Sequence, residues 1–227
     1  MGPTVERQAR DVPSVAFDPA CGACPRLSAF LADVRKEHPG YHARPVPMFG
    51  PSKAAILVVG LAPGMHGANR TGRPFTGDYA GILLYKTLHK HGLASHAGSD
   101  DPADGLVLHD CRITNAVKCL PPQNKPTPAE IRQCNGFLAS ELRLHPPKAI
   151  LALGRIAHDA VLAALKLKGR DYPFGHHASH ELPDGIRLFD SYHCSRYNTQ
   201  TKRLTDAMFD AVVADVVAAA GKSIKTR

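Results

Sequence analysis

The sequence predicts a three-layer α/β/α fold around a central four-stranded parallel sheet. Three observations carry that prediction. Short, nearly all-apolar runs at 56–59, 149–153 and 186–189 have the character of strands buried on both faces. Segments with helical periodicity alternate with them, the order a parallel sheet with crossover helices requires. Polar segments follow several strands, and open α/β sheets bind their ligands beyond the carboxyl ends of the strands.

Each element has its own signal. Residues 1–20 carry three prolines and no apolar periodicity, so they are expected to form a mobile lead-in. Over 27–37, Leu27, Phe30, Leu31 and Val34 fall at helical spacing, and Pro39-Gly40 ends the run. The β-branched strand 56–59 stops at Gly60 and opens a long glycine-rich loop. A helix over 82–91 is closed by Gly92, and 95–105 is expected to be loop. Strand 112–118 sets Ile113 and Val117 around Thr114 and Asn115 and ends near Cys119. Thr127 as cap, Pro128 in the first turn and Glu130 three residues on start a helix running to about residue 144. Strand 149–153 lies between Pro147 and Gly154 and leads into a helix over 155–165. Loop is expected at 169–184, the last strand at 186–189, polar loop at 190–198 and an amphipathic helix over 202–220. With no repeat and no long linker, 21–221 is expected to be one domain, followed by a basic tail, 222–227, carrying Lys222, Lys225 and Arg227.

Composition narrows the function classes. The 227 residues are 44% hydrophobic and 21% charged, the balance of a folded chain rather than a disordered one. Twenty-eight Lys and Arg against twenty Asp and Glu leave a net charge of +8, which favours a polyanionic partner such as nucleic acid. The longest apolar stretches, 54–61 and 211–220, are too short to span a bilayer, and no secretory leader pattern is present. A cytoplasmic protein with no membrane partner is expected.

Six cysteines in such a compartment argue against a disulfide scaffold. Cys21 and Cys24 form a C-x-x-C pair, and Cys119 and Cys134 lie downstream with fourteen residues between them. Four thiolates of this kind suit zinc or an iron–sulfur cluster, and spacing alone does not choose between them. Buried structural cysteines are the plain alternative. Cys111, in a strand, and Cys194, in a polar motif, are left out of the set.

Three polar segments should converge at the carboxyl end of the sheet. The loop GLAPGMHGANRTGRPFTGDYAG holds six glycines in 22 residues, and so much glycine lets backbone amides approach a ligand closely. It has neither the Gly-Lys-Ser/Thr end of a phosphate-binding P-loop nor G-x-G-x-x-G. Within it, Phe75 can stack on a planar base and Asp78 can offer a carboxylate beside it. The competing reading makes Phe75 a core anchor and Asp78 the cap of the next helix. In Ile113–Cys119, the Asn115 amide carries donor and acceptor together and can pair with the imide edge of a pyrimidine. In the segment Tyr192-His193-Cys194-Ser195-Arg196-Tyr197-Asn198, a neutral His193 can donate to a developing oxyanion. Arg196 and Tyr197 can reach a phosphate or the gap left by an extruded base. His176, His177 and His180 lie among Pro173, Gly175 and Pro183, which disfavours a shared helical face, so they are expected to be exposed loop histidines, near any nucleic-acid partner, rather than metal ligands.

The glycine loop, the ITNAVKC strand end, the HCSRYN segment and the four spaced cysteines together resemble the uracil-DNA glycosylase superfamily, specifically its iron–sulfur-containing type-b branch (family 5). The resemblance runs from Cys21 to Asn198. It implies a four-stranded parallel sheet between helices, and excision of damaged bases, chiefly uracil, by N-glycosidic cleavage that leaves an abasic site. It also implies a structural [4Fe-4S] cluster on Cys21, Cys24, Cys119 and Cys134. The best-known branch has a catalytic acid two residues after the opening glycine and an aromatic wall two residues later; here those positions are Ala62 and Gly64. In type-b members the implied replacement is the carboxylate at the Asp78 position.

The expected catalytic set is therefore Asp78, His193 and Asn198, with the base held by Gly60, Ala62, Gly64, Phe75 and Asn115. DNA contacts are expected from Asn69, Arg70, Ser195, Arg196 and Tyr197. The small residues at 62 and 64 imply a roomy pocket admitting modified pyrimidines, hypoxanthine or xanthine. The chain is expected to act as a monomer on DNA. Two other classes fit parts of the pattern: a non-catalytic zinc protein binding nucleic acid, and a nucleoside or nucleotide hydrolase of the same architecture.

Overall fold

A computed structural model describes residues 16–221. The basic tail and the lead-in up to residue 15 lie outside the described residues. Where the lead-in is described, the Phe17 ring packs edge-on against Phe137, with centroids 5.9 Å apart.

Among the described residues five strands form one sheet: β1 (Ile56–Gly60), β2 (Cys111–Asn115), β3 (Ala149–Leu153), β4 (Ser179–Glu181) and β5 (Arg187–Ser191), in the order β2-β1-β3-β5-β4. The first four in that order run parallel, each of the three central ones buried along almost its whole length, as their unbroken apolar runs require. β4 is the departure from the expected four-stranded sheet. It lies inside the segment read as loop and pairs antiparallel with β5 at the sheet edge. Its three residues, Ser-His-Glu, are largely exposed, so no apolar run announces it.

Among the described residues there are seven α-helices: α1 (Pro25–Glu37), α2 (Ala68–Thr71), α3 (Tyr79–Lys90), α4 (Pro128–Leu144), α5 (Arg155–Ala164), α6 (Arg196–Gln200) and α7 (Asp206–Ala219). On one face, α3 and α7 pack against Ile56, Val58, Ile113, Leu151 and Phe189; on the other, α4 and α5 pack against Leu57, Val59, Ile150 and Leu188. The three layers expected from the alternation are present. Along α7, Phe209, Val212, Val213, Val216 and Val217 recur at helical spacing and are buried, each contributing on the order of 1.5–3 kcal/mol.

Side-chain caps set the helix starts. At α4 the Thr127 hydroxyl accepts from the Glu130 N–H while Glu130 accepts from the Thr127 N–H, the reciprocal box read from the sequence. α7 starts at Asp206 under a Thr205 cap rather than at Lys202, because residues 196–200 form the separate turn α6 capped by Ser195. α3 starts three residues earlier than periodicity indicated, because Asp78 caps it.

A buried pair ties α5 to β5. His158 Nδ1 lies 2.8 Å from Asp190 Oδ1, and its Nε2 lies 2.9 Å from the Tyr172 carbonyl. Both ring nitrogens face acceptors, so the ring is held as an imidazolium against the carboxylate. Burial is the largest single influence and opposes that charge, but the Asp190 hydrogen bond and charge, the Tyr172 carbonyl and the Asp159 charge together outweigh it, leaving the His158 pKa raised. A raised folded-state pKa stabilises fully below the unfolded histidine value near 6.5, and the contribution is lost as pH rises through the folded value. Asp190→Ala, which strands the buried ring, should cost on the order of 3–5 kcal/mol in urea unfolding at pH 6. The same substitution should flatten the decline in stability that the wild type shows on going from pH 6 to pH 9.

Candidate functional site

The ends of β1 and β2 bring the first two walls together. Gly60 pairs with Asn115 across the two strands. A methyl group at Gly60 would lie 2.4 Å from Asn115 Oδ1 and 2.6 Å from Phe75 Cζ, so only glycine lets ring and amide close over the strand end. Asn115 is buried, and its Oδ1 has no partner among the described residues. An unpaired buried amide oxygen costs about 1–3 kcal/mol, which a ligand donor would relieve.

The glycine loop is held by a buried arginine. Arg73 donates to both carboxylate oxygens of Asp104, at 2.9 and 2.6 Å, and to Ser99, Thr76 and two backbone carbonyls. Two residues on, Phe75 takes a left-handed backbone, φ +55°, unusual for a residue with a side chain. The Tyr85 hydroxyl, donating to the Pro74 carbonyl, helps pin that turn. The Phe75 ring packs in the core and lies 6.0 Å from the His193 ring at an interplanar angle of 31°. It is anchor and cavity wall at once.

Asp78 likewise has two tasks. One oxygen, Oδ1, accepts from the Gly81 N–H at 2.8 Å and caps α3. The other, Oδ2, lies where a methyl at Gly67 would meet it at 2.5 Å, so that glycine makes room for the carboxylate. Burial raises the Asp78 pKa, partly countered by hydrogen bonds from the Gly81 and Ala80 amides. Two residues past the end of β5, His193 lines the same cavity; burial pulls its pKa down to about 4, so the ring is neutral at neutral pH. The Asn198 side chain donates to the His193 carbonyl at 2.9 Å and holds that turn.

Phe75, Asp78, Asn115 and His193 line one cavity of about 440 Å³ at the carboxyl end of the sheet. Ala62 and Gly64 form its small-residue side, and Ser195 and Arg196 stand at its mouth, the Arg196 guanidinium 5.6 Å from the centre of the Tyr79 ring. Tyr197, 70% exposed, projects from the adjoining turn. Gly60 sits behind the lining rather than in it. Arg70 lies outside the cavity, its Nε donating to the His66 carbonyl.

Two expected residues belong elsewhere. Asn69 is wholly buried, with Nδ2 3.4 Å from the Met65 carbonyl, and cannot meet a DNA backbone. The four-residue helix α2 turns it inward, a feature invisible in a glycine-rich stretch. Asn198 lines a neighbouring cavity behind the His193 turn, so its place is that of a brace. Sequence reasoning also missed Tyr79 and Asn124, which both line the cavity. Tyr79 directly follows Asp78. Asn124 is carried in by consecutive left-handed residues, Gln123 and Asn124, and the Pro-Pro-Gln-Asn turn was the available signal.

Of the loop histidines, His176 stacks on Tyr192 at 4.9 Å and His177 lies 2.7 Å from Asp215. His180 falls on β4, where it, His158 and Asp190 bring their ligand atoms within 4.8 Å of one another. Hydrogen bonds already engage those atoms, His180 Nε2 lying 3.1 Å from the Pro173 carbonyl.

A second cavity, about 280 Å³, is lined by Cys21, Cys24, Cys119 and Cys134 together, with Leu27, Val117 and Phe137 around them. Burial and the three other thiols push Cys119 up to about 12, a sign of how closely the four groups share the space. The Lys118 N–H donates to Cys134 Sγ at 3.2 Å, a bond that favours thiolate there. Four soft donors around one enclosed space fit a thiolate-bound metal centre. Cys111 and Cys194 are buried apart from it, as expected. Ala62 packs on this group while lining the first cavity, so the two sites share a wall.

Residues 47–217 match the model of the uracil DNA glycosylase superfamily. The type-5 uracil-DNA glycosylase of Thermus thermophilus is 50% identical over 208 residues, which cover 89% of this chain and 94% of that protein. The type-5 uracil-DNA glycosylase of Mycobacterium tuberculosis is 43% identical over 211 residues, 88% of this chain and 78% of that protein. A type-4 uracil-DNA glycosylase of Archaeoglobus fulgidus is 36% identical over 132 residues, 58% of this chain and 57% of that protein.

Two glycines of the loop should respond differently to alanine. Gly60→Ala forces Asn115 and Phe75 to move and should cost about 1–3 kcal/mol in urea unfolding. At Gly64 the nearest atom to an added methyl is 3.8 Å away, so Gly64→Ala should stay within about 0.5 kcal/mol of wild type.

Proposed function

The chain belongs to the uracil DNA glycosylase superfamily, and on that premise we propose that it flips uracil out of DNA and hydrolyses its N-glycosidic bond, leaving an abasic site. One observation carries the proposal: a stacking ring, an imide-reading amide, a carboxylate and a neutral imidazole line one base-sized cavity.

Flipping a base costs a few kcal/mol, least at a mismatch. Stacking on Phe75, about 1–3 kcal/mol, and pairing of the uracil edge with the otherwise unsatisfied Asn115 amide offset that cost. Cleavage of the C1′–N1 bond sends its electron pair onto uracil and leaves a cation-like sugar. The neutral His193 ring donates a hydrogen bond toward O2, where the anionic charge gathers; a donor of this kind contributes about 2.7–4 kcal/mol. The free oxygen of Asp78 faces the sugar cation and orients the water whose oxygen forms the new bond to C1′. Its α3 cap keeps that carboxylate from swinging away. Asn124, in the same cavity, supplies a further amide for water or base. Asn198 acts through the His193 turn.

The same proposal covers the rest of the site. With Ala62 and Gly64 on one side, the cavity admits modified pyrimidines and deaminated purines such as hypoxanthine or xanthine. Arg70, Ser195, Arg196 and Tyr197 contact the DNA around the extruded base. Cys21, Cys24, Cys119 and Cys134 hold a [4Fe-4S] cluster, which supplies a structural cross-link rather than chemistry at the base. The chain would act on the chromosome of a prokaryotic cell, as its bacterial and archaeal relatives suggest, and as a monomer. Among the described residues, no helix is long and apolar enough to cross a membrane.

Duplex DNA carrying a single uracil should yield abasic sites, read after alkaline strand scission, with inosine and xanthine substrates run alongside. Asp78→Asn should lower the single-turnover rate by at least about 100-fold, and His193→Ala by about 100–1000-fold. Full retention of rate in Asp78→Asn overturns its role. Because the Asp78 pKa is raised, the wild-type rate should fall on acidification at a pH above the ordinary aspartate value of about 3.9, and the residual rate of Asp78→Asn should lack that limb. The purified protein should be brown and contain iron and acid-labile sulfide, both lost in Cys134→Ser.

A further inference from the structure

Behind the His193 turn lies a second cavity on the same edge of the sheet, about 400 Å³ in volume, whose walls include Arg155, Phe174, Tyr192, His193 and Arg203. None of the mechanism above uses its two arginines. Arg155, at the first position of α5, holds its guanidinium 5.1 Å from the centre of the Phe174 ring, and Arg203 lies 4.5 Å from that of Tyr192. Neither forms an ion pair among the described residues, and both are exposed. An arginine stacked on a ring keeps its planar fork of N–H donors directed outward, at little further loss of side-chain freedom, and that fork matches a phosphate. Two other arginines near the sites are already ion-paired: Arg73 with Asp104 and Arg26 with Glu130.

The location favours DNA as the source of that phosphate. Leu153 and Ser191 pair across β3 and β5, so the chain leaving each strand delivers Arg155 and His193 to the same rim. The His193 side chain belongs to the walls of both cavities. A strand whose base enters one cavity therefore carries its neighbouring backbone past the other. The buried His158–Asp190 pair, through the Tyr172 carbonyl, anchors the segment that presents Phe174.

We propose that this second cavity is a phosphodiester subsite, in which Arg155 and Arg203, stacked on Phe174 and Tyr192, grip a backbone phosphate flanking the flipped nucleotide. The inference rests on the base cavity assigned above and adds to it a fixed register for the strand. It differs from a diffuse basic surface in one respect: neutralising a particular linkage must matter.

The test is a binding cycle with the full-length, cluster-containing protein and a uracil oligonucleotide made resistant to cleavage by a 2′-fluorine. Wild type, Arg155→Gln/Arg203→Gln and Arg203→Lys are titrated by fluorescence anisotropy across a range of KCl concentrations. The double glutamine variant should lose about 0.7–0.9 from the slope of log affinity against log salt, the value for one neutralised phosphate, whereas Arg203→Lys should keep the wild-type slope. A methylphosphonate at one linkage beside the uracil should weaken wild type about tenfold and leave the double variant unaffected. An unchanged slope, or equal weakening of both proteins at every linkage, overturns the subsite. Uracil release from the cleavable oligonucleotide is followed in parallel. Release by wild type together with an unchanged slope overturns the subsite alone. Absence of release overturns the base-cavity reading, and the anisotropy cycle still reads the phosphate contact.

Discussion

The missing side chain at Gly60 sets the distance across the site. β1 and β2 are in register at Gly60 and Asn115, and Phe75 folds back over the same strand end. Were any β-carbon present, the Asn115 amide and the Phe75 ring would have to move away from the strand end. The rest of the loop is organised to hold this arrangement. Arg73 gathers hydroxyls, carbonyls and the Asp104 carboxylate behind it, and Phe75 keeps a left-handed backbone that few non-glycine residues adopt. The cost of that conformation is offset by the burial of its own ring in the main core.

Under the proposed mechanism, Asp78 carries a structural and a chemical role on one carboxylate. Helix capping and catalysis were competing explanations for it, yet the two oxygens divide the work: one accepts from the start of α3 and the other is directed into the space left by Gly67. Capping also has an electrostatic consequence. The amide donors favour the ionised form while burial favours the neutral one, and the net is a carboxyl group more basic than usual. His193 is shifted the opposite way by the same burial and becomes a neutral donor. One desolvated cavity thus prepares both partners.

Much of this was legible in the chain itself. The buried parallel strands, the Thr127–Glu130 box and the gathering of Phe75, Asp78, Asn115 and His193 each follow from a local rule: apolar runs, cap chemistry, and polar residues placed just past strand ends. What escaped has no such rule. β4 is three polar residues defined only by its partner, and α2 hides among glycines while turning Asn69 inward. Asn124 reaches the cavity through two consecutive left-handed residues, which depend on the surrounding packing more than on residue type. Arg155 and Arg203 lie far apart in the chain, on separate helical connections, and only the pairing of β3 with β5 makes them neighbours.

The four-thiol cavity has a consequence for how the chain is tethered. Cys21 and Cys134 are more than a hundred residues apart in sequence, so a centre that grips both ends closes most of the sheet's first half into a ring. Closing a ring of that size removes conformational entropy from the unfolded chain worth about 4–5 kcal/mol by the loop-closure relation used for covalent cross-links. Ala62 packs on the thiols and lines the first cavity, so the ring's knot adjoins that cavity. If the four thiols hold the proposed cluster, its oxidative loss would act directly on the wall that Ala62 shares with the first cavity.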